Sequence, residues 1–188
     1  MNVVYLDTNI LLGLLRHSDV NFRAIKQLIL NEKLKFITGS ITLVEMYSVL
    51  SREFSIVKTA LLGLYKAEND ESLLSLSDKE QIELLINYIL FFTKVEVLKD
   101  ETPEISNLGG TEQKISPIYK VACQLSIFSR LRTLDNLHFA TIYFYNLLND
   151  QKVNFLVTAD EGILSKKKEC ESLTDVIITH PKTLVELI

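Results

Sequence analysis

Four apolar residues, Val3-Val4-Tyr5-Leu6, run straight into Asp7, then Thr8 and Asn9, before a second apolar run starts at Ile10. A short unbroken run rich in β-branched and aromatic residues reads as a strand buried on both faces, the signature of a parallel sheet. Asp7-Thr8-Asn9 then supplies helix N-cap chemistry. Asp7 is therefore expected at the carboxyl end of a central strand, where open α/β sheets bind ligands. The plain alternative is that Asp7 or Thr8 is only a cap.

The rest of the chain repeats that alternation. Strands are predicted at Lys33 to Thr38, Val95 to Leu98, Asn154 to Thr158 and Asp175 to Thr179. Helices are predicted from Ile10, from Asp19 or Asn21, and from Ser40 or Thr42. Further helices cover Ser55 to Ala67, Ile82 to Phe92, the stretch after Ser116-Pro117, Thr133 to Asn149, Glu161 to Cys170, and the end from Pro181. Ser77 and Glu80 have capping-box spacing, as do Thr42 and Glu45. Alternating strands and helices predict a three-layer α/β/α domain around a five-stranded parallel sheet. One domain spanning 1–188 is expected, with polar elaborations near 68–80 and 99–116; the second is read as a loop or insertion.

Composition removes several classes. A hydrophobic content of 47% allows a sizeable core, and the few glycines and prolines argue against a disordered or low-complexity chain. The net charge of −4 argues against broad non-specific nucleic-acid binding but leaves room for a local basic patch. Cys123 and Cys170 lack metal-ligand spacing and read as reduced thiols. No apolar stretch reaches the ~20 residues of a membrane span. A soluble cytoplasmic protein without a membrane partner is expected.

The acids carry the chemistry. Asp135 opens a helix of roughly 15 residues, about 22 Å long, and the following strand returns about 20 Å. Asp135 and Asp160 should then share one sheet edge. The same out-and-back path joins Asp7 to Glu45. Clustered carboxylates repel one another, so a fold that gathers them invites a hard cation such as Mg²⁺ or Mn²⁺. Such ions activate water and stabilise the leaving oxygen in phosphodiester cleavage. Taken singly, each acid also suits a capping or helix-dipole role.

Leu6-Asp7-Thr8-Asn9-Ile10-Leu11 and Ser40-Ile41-Thr42-Leu43-Val44-Glu45 form the first half of an ordered set. Leu134-Asp135-Asn136-Leu137-His138-Phe139-Ala140-Thr141, Leu156-Val157-Thr158-Ala159-Asp160 and Val176-Ile177-Ile178-Thr179-His180-Pro181 complete it. In this order the chain resembles the PIN-domain ribonucleases, and within them the VapC-like toxins of toxin–antitoxin pairs. The resemblance implies metal-binding catalytic acids at Asp7, Glu45, Asp135 and Asp160, with Asn9 and Thr158 orienting them. It also implies an RNA substrate, an antitoxin partner and a homodimer. The longer polar segments depart from the compact toxins and weigh more against the toxin role than against the nuclease chemistry.

Arg130, Arg132, Lys166, Lys167 and Lys168 are candidate RNA-phosphate contacts, although a solvated helix face is the heavier reading. His138 reads as a core histidine before a donor to the acids. Phe139, Tyr143, Phe144 and Tyr145 read as core and interface packing. Three other readings compete: a non-toxin RNA-processing nuclease, a catalytically silent binding module, and a phosphotransfer enzyme resembling haloacid-dehalogenase-type phosphatases. The last wants a second Asp where this chain has Asn9.

Overall fold

Strand β1 (Asn2–Leu6) is buried from Val3 to Leu6, as its unbroken apolar run requires. In a computed structural model describing residues 1–16, 19–65, 75–108 and 110–188, it is the middle of a five-stranded sheet. The order is β3-β2-β1-β6-β7, with β2 at Leu34–Gly39, β3 at Glu96–Leu98, β6 at Val153–Val157 and β7 at Ile177–Thr179. Every pairing is parallel. The chain leaves β1 for β2 on one side and reaches β6 on the other. The carboxyl end of β1 is thus a topological switch point, and Asp7 follows it directly.

Side-chain alternation along β1 sorts the core into two layers. Val4 and Leu6 face helices α1 (Thr8–Gly13), α2 (Phe22–Ile29), α3 (Ser40–Arg52), α4 (Phe54–Tyr65) and α5 (Asp78–Thr93), through Leu11, Leu28, Met46, Val57 and Leu85. Val3 and Tyr5 face the other layer. There Phe139 and Ile142 of α7 (Thr133–Leu148) meet Ile163 of α8 (Glu161–Leu164) and Cys170 of α9 (Lys167–Thr174). Helix α6 (Pro117–Ser129) packs on α7 through Ile118, Ala122, Leu137 and Ala140. Helix α10 (Pro181–Leu187) returns Leu184 to the first layer. Each fully buried aliphatic side chain contributes about 1.5–3 kcal/mol, so both faces of the sheet are strongly held.

The three-layer parallel fold is as the sequence predicts, with corrections in detail. The 99–116 segment is not simply a loop: β4 (Glu104–Leu108) and β5 (Thr111–Ile115) form an antiparallel hairpin outside the main sheet. Gly110 takes φ +85° at its turn, a conformation glycine adopts without steric cost. The Ser77–Glu80 capping box is present. The Thr42–Glu45 box is not, because α3 already begins at Ser40 behind Gly39, and Thr42 instead bonds Thr38 at 2.7 Å. The helix expected over Glu161 to Cys170 divides into α8 and α9. The polar break near Glu68 and the predicted helix end at Ala67 lie outside the described residues. No helix among the described residues is long and apolar enough to cross a membrane.

Candidate active site

Asp7 is built in from all sides. It is 5% exposed and caps α1, its Oδ1 accepting from the Thr8 amide at 2.7 Å. Its Oδ2 accepts from Asn9 Nδ2 and from Thr158 Oγ1, both at 2.6 Å. Thr158 Oγ1 in turn accepts from Asn9 Nδ2 at 3.1 Å and from the Asp160 amide at 2.9 Å. Asn9 Oδ1 accepts from the Ala159 amide at 3.0 Å. Asn9 and Thr158 therefore lock the end of β1 to the end of β6, and both touch the Asp7 carboxylate.

Glu45 sits in the second turn of α3. Its Oε2 accepts from Thr8 Oγ1 and lies 2.9 Å from His138 Nε2. Burial pushes the Glu45 carboxyl up, but His138 and Thr8 outweigh it and hold the group below its ordinary value. His138 is 2% exposed, so the core reading is right as far as it goes. Its ring nevertheless reaches the acids: Nε2 is 3.6 Å from Asp7 Oδ1. Burial pushes the imidazole pKa down. The Tyr5 phenol oxygen, the Glu45 hydrogen bond and the Asp7 and Glu45 charges outweigh it, leaving the ring well above its ordinary value.

Asp135 and Asp160 form a second pair around Arg132. Asp160 Oδ2 meets the Arg132 guanidinium at 3.1 Å, and Asp135 Oδ2 lies 3.7 Å from Arg132 Nε. Both acids also do helix-end work. Asp160 Oδ1 accepts from the amides of Gly162 and Ile163, and Asp135 accepts from the Arg132 amide at 3.3 Å. Burial raises the Asp135 pKa, and the charges of Asp160 and Asp7 add to it against the pull of Arg132.

All four acids line one open cavity of about 670 Å³. The predicted cations divide. Arg132 lines this cavity with the acids. Arg130, Lys166 and Lys167 are not among its lining residues. Arg130 ends α6 in a left-handed conformation and its carbonyl accepts from Lys166 Nζ, while Lys167 pairs with Glu171 at 3.6 Å. Lys168 is exposed. Two arginines not singled out from the sequence do line the cavity, Arg16 and Arg52, the first paired with Glu53 at 2.6 Å. Arg52 was discoverable: Glu45, Ser48, Val49 and Arg52 follow helical spacing, and all four line the cavity.

The donor set suits a hard divalent cation. Among the described residues, Asp7, Glu45 and His138 each place one potential ligand atom within 4.8 Å of the others. Asp135 and Asp160 do not join that trio but add carboxylate oxygens to the same cavity wall. Carboxylates on an open, water-accessible cavity match what Mg²⁺ and Mn²⁺ take.

A parallel sheet with acids gathered at its switch point defines a class, and comparison with known proteins agrees. The PIN domain model matches residues 4–169. The chain therefore belongs to the PIN domain family, a family of nucleases. A crystal structure of VapBC2 from Rickettsia felis, bound to a DNA fragment from their promoter, matches with a TM-score of 0.52 at 13% identity. The match covers 95% of this chain and 98% of that one. VapBC-1 from nontypeable Haemophilus influenzae matches with a TM-score of 0.48 at 15% identity, covering 96% and 98%. FitAB bound to an IR36 DNA fragment matches with 0.48 at 14% identity, covering 95% and 94%. No curated protein sequence matches.

Proposed function

We propose that this protein is a divalent-metal-dependent endoribonuclease that hydrolyses RNA phosphodiester bonds. The observation that carries the reading is the convergence of Asp7, Glu45, Asp135 and Asp160 on one open cavity. Asp7 and Glu45, with Asp135 and Asp160 beside them, would hold Mg²⁺ or Mn²⁺. Bound there, the ion would supply Lewis-acid polarisation of the phosphate and activation of water.

The chain's own residues do the rest. Asn9 and Thr158 hold Asp7 Oδ2, so the carboxylate cannot rotate away. Arg132, 74% exposed, is free to exchange its acid partners for an RNA phosphate. Arg16 and Arg52 extend that basic lining along the cavity. Arg130, Lys166 and Lys167 do not line the cavity and would contribute long-range attraction.

The toxin of a toxin–antitoxin pair is the form of this activity we favour. The fold matches a VapBC2 structure along nearly the whole chain, and the cavity runs past the acids over Leu12, Ile25 and Val49, where an antitoxin segment would fit. A homodimer is part of this proposal: Phe91, Ile127 and Leu147 are exposed apolar side chains. An RNA-processing role without an antitoxin uses the same site.

The test offers single-stranded and structured RNA, and separately a small phosphate ester, to the protein in Mn²⁺. Cleavage of RNA alone is expected. Turnover of the ester with intact RNA would point to a phosphatase, and turnover of neither to a silent binding module.

A further inference from the structure

His138 is one of three groups near enough to share an ion, yet its hydrogen bonds leave its ring nitrogen no lone pair to offer. The Gly39 amide donates to Tyr5 Oη at 3.0 Å. The phenol hydrogen is then the natural donor to His138 Nδ1, 2.9 Å away. With Nδ1 accepting, the ring hydrogen sits on Nε2 and points to Glu45 Oε2 at 2.9 Å. The opposite tautomer would press a nitrogen lone pair against that carboxylate oxygen and toward Asp7 Oδ1 at 3.6 Å. A charged ring also carries hydrogen on Nε2. Thr8 Oγ1 donates to the same Oε2.

We propose that His138 is a positioning residue: with Thr8 it saturates Glu45 Oε2, leaving Oε1 as the one oxygen Glu45 gives to the divalent ion. Tyr5 acts one step further back: its hydrogen bond to Nδ1 orients the ring from the sheet, and in the neutral ring it also fixes the tautomer. The site is then all-oxygen, with Glu45 binding through a single oxygen. A partner that orients a ligand is worth about 10–100-fold in metal affinity. This proposal rests on the divalent-metal reading above.

The experiment binds Mn²⁺ to the full chain and reads it by pulsed electron paramagnetic resonance, with ¹⁵N-histidine protein as the control. Affinity is titrated alongside for wild type, His138→Leu, His138→Gln and Tyr5→Phe. No histidine-nitrogen coupling is expected in wild type. His138→Leu should bind Mn²⁺ at least about tenfold more weakly. His138→Gln, whose side-chain amide can donate where Nε2 did, should recover most of that loss, and Tyr5→Phe should show a smaller loss. If His138→Leu does not fold, His138→Gln and Tyr5→Phe still decide.

A directly coupled nitrogen that vanishes in His138→Gln would make His138 a ligand and overturn the proposal. Wild-type affinity in His138→Leu, or no recovery in His138→Gln, would overturn it as well. Wild type that binds Mn²⁺ but leaves RNA intact overturns the nuclease reading and leaves this one standing. Wild type that binds no Mn²⁺ at these acids overturns both.

Discussion

Thr158 Oγ1 donates to Asp7 Oδ2 at 2.6 Å across 151 positions of sequence, and the same oxygen accepts from the Asp160 amide at 2.9 Å. One buried hydroxyl thus fixes both strand ends that carry acids. Thr158→Val keeps the shape and removes the hydroxyl, stranding the Asp160 amide and taking one donor away from Asp7 Oδ2. A loss of about 1–3 kcal/mol is expected in urea unfolding, together with weaker Mn²⁺ binding. Wild-type values for both would show that the hydroxyl is dispensable.

Asp160 is both a helix cap and a wall of the cavity, and two substitutions part those roles. Asp160→Asn keeps an Oδ1 for the Gly162 and Ile163 amides. Its metal-free melting temperature should stay near wild type. Asp160→Ala should cost about 0.5–2 kcal/mol. Both should lose part of the stabilisation that Mn²⁺ confers on wild type by mass action. Full Mn²⁺ stabilisation of Asp160→Asn would reduce Asp160 to a cap.

Asp135 titrates with a sign that can be checked. Burial, aided by Asp160 and Asp7, holds its folded pKa above the ordinary 3.8. The folded state therefore keeps the proton longer than the unfolded state does. This penalty is absent below the unfolded pKa and grows as pH rises through the folded one. Asp135→Asn should be more stable than wild type at neutral pH without metal, by about 0.5–2 kcal/mol. The gap should close near pH 3. A gap that stays constant with pH would contradict the assignment.

Gly39 tests the relay behind Glu45. A Cβ there would lie 2.8 Å from Tyr5 Oη and 3.2 Å from a Thr141 methyl. Tyr5 is fully buried and cannot step aside cheaply. Gly39→Ala should cost about 1–3 kcal/mol and weaken Mn²⁺ binding through His138. Unchanged stability and affinity would show that the phenol has room to move.

How much of this was legible in the sequence follows from burial. The sheet strands were readable because apolar runs such as Val3 to Leu6 mark strands buried on both faces. The hairpin was not: the Glu104–Leu108 and Thr111–Ile115 strands are largely exposed and polar, leaving Gly109-Gly110 as the only turn signal. Asp7 and Asp160 are readable from their strand ends, but sequence alone sets capping against clustering, whereas these residues cap helices and line the cavity at once. The role of His138 is hidden in the sequence because its partners, Tyr5 and Glu45, lie 133 and 93 positions away and meet it only in the folded chain. Helical spacing from Asp135 could not supply that contact.

We expect the gathered acids to hold a divalent ion with which the protein cuts RNA. Titrating Mn²⁺ into wild type and Asp7→Asn while following RNA cleavage in the same samples decides it. Asn keeps an Oδ1 for the cap on α1 and removes the charge, but loses the two hydrogen bonds that Oδ2 accepts, so the metal-free melting temperature of Asp7→Asn is read alongside. Wild type should bind Mn²⁺, cleave RNA and stop when EDTA is added; Asp7→Asn should bind at least about tenfold more weakly and leave RNA intact, a loss typical of removing transition-state charge stabilisation. Cleavage by metal-free wild type, or wild-type cleavage by Asp7→Asn, would contradict the account.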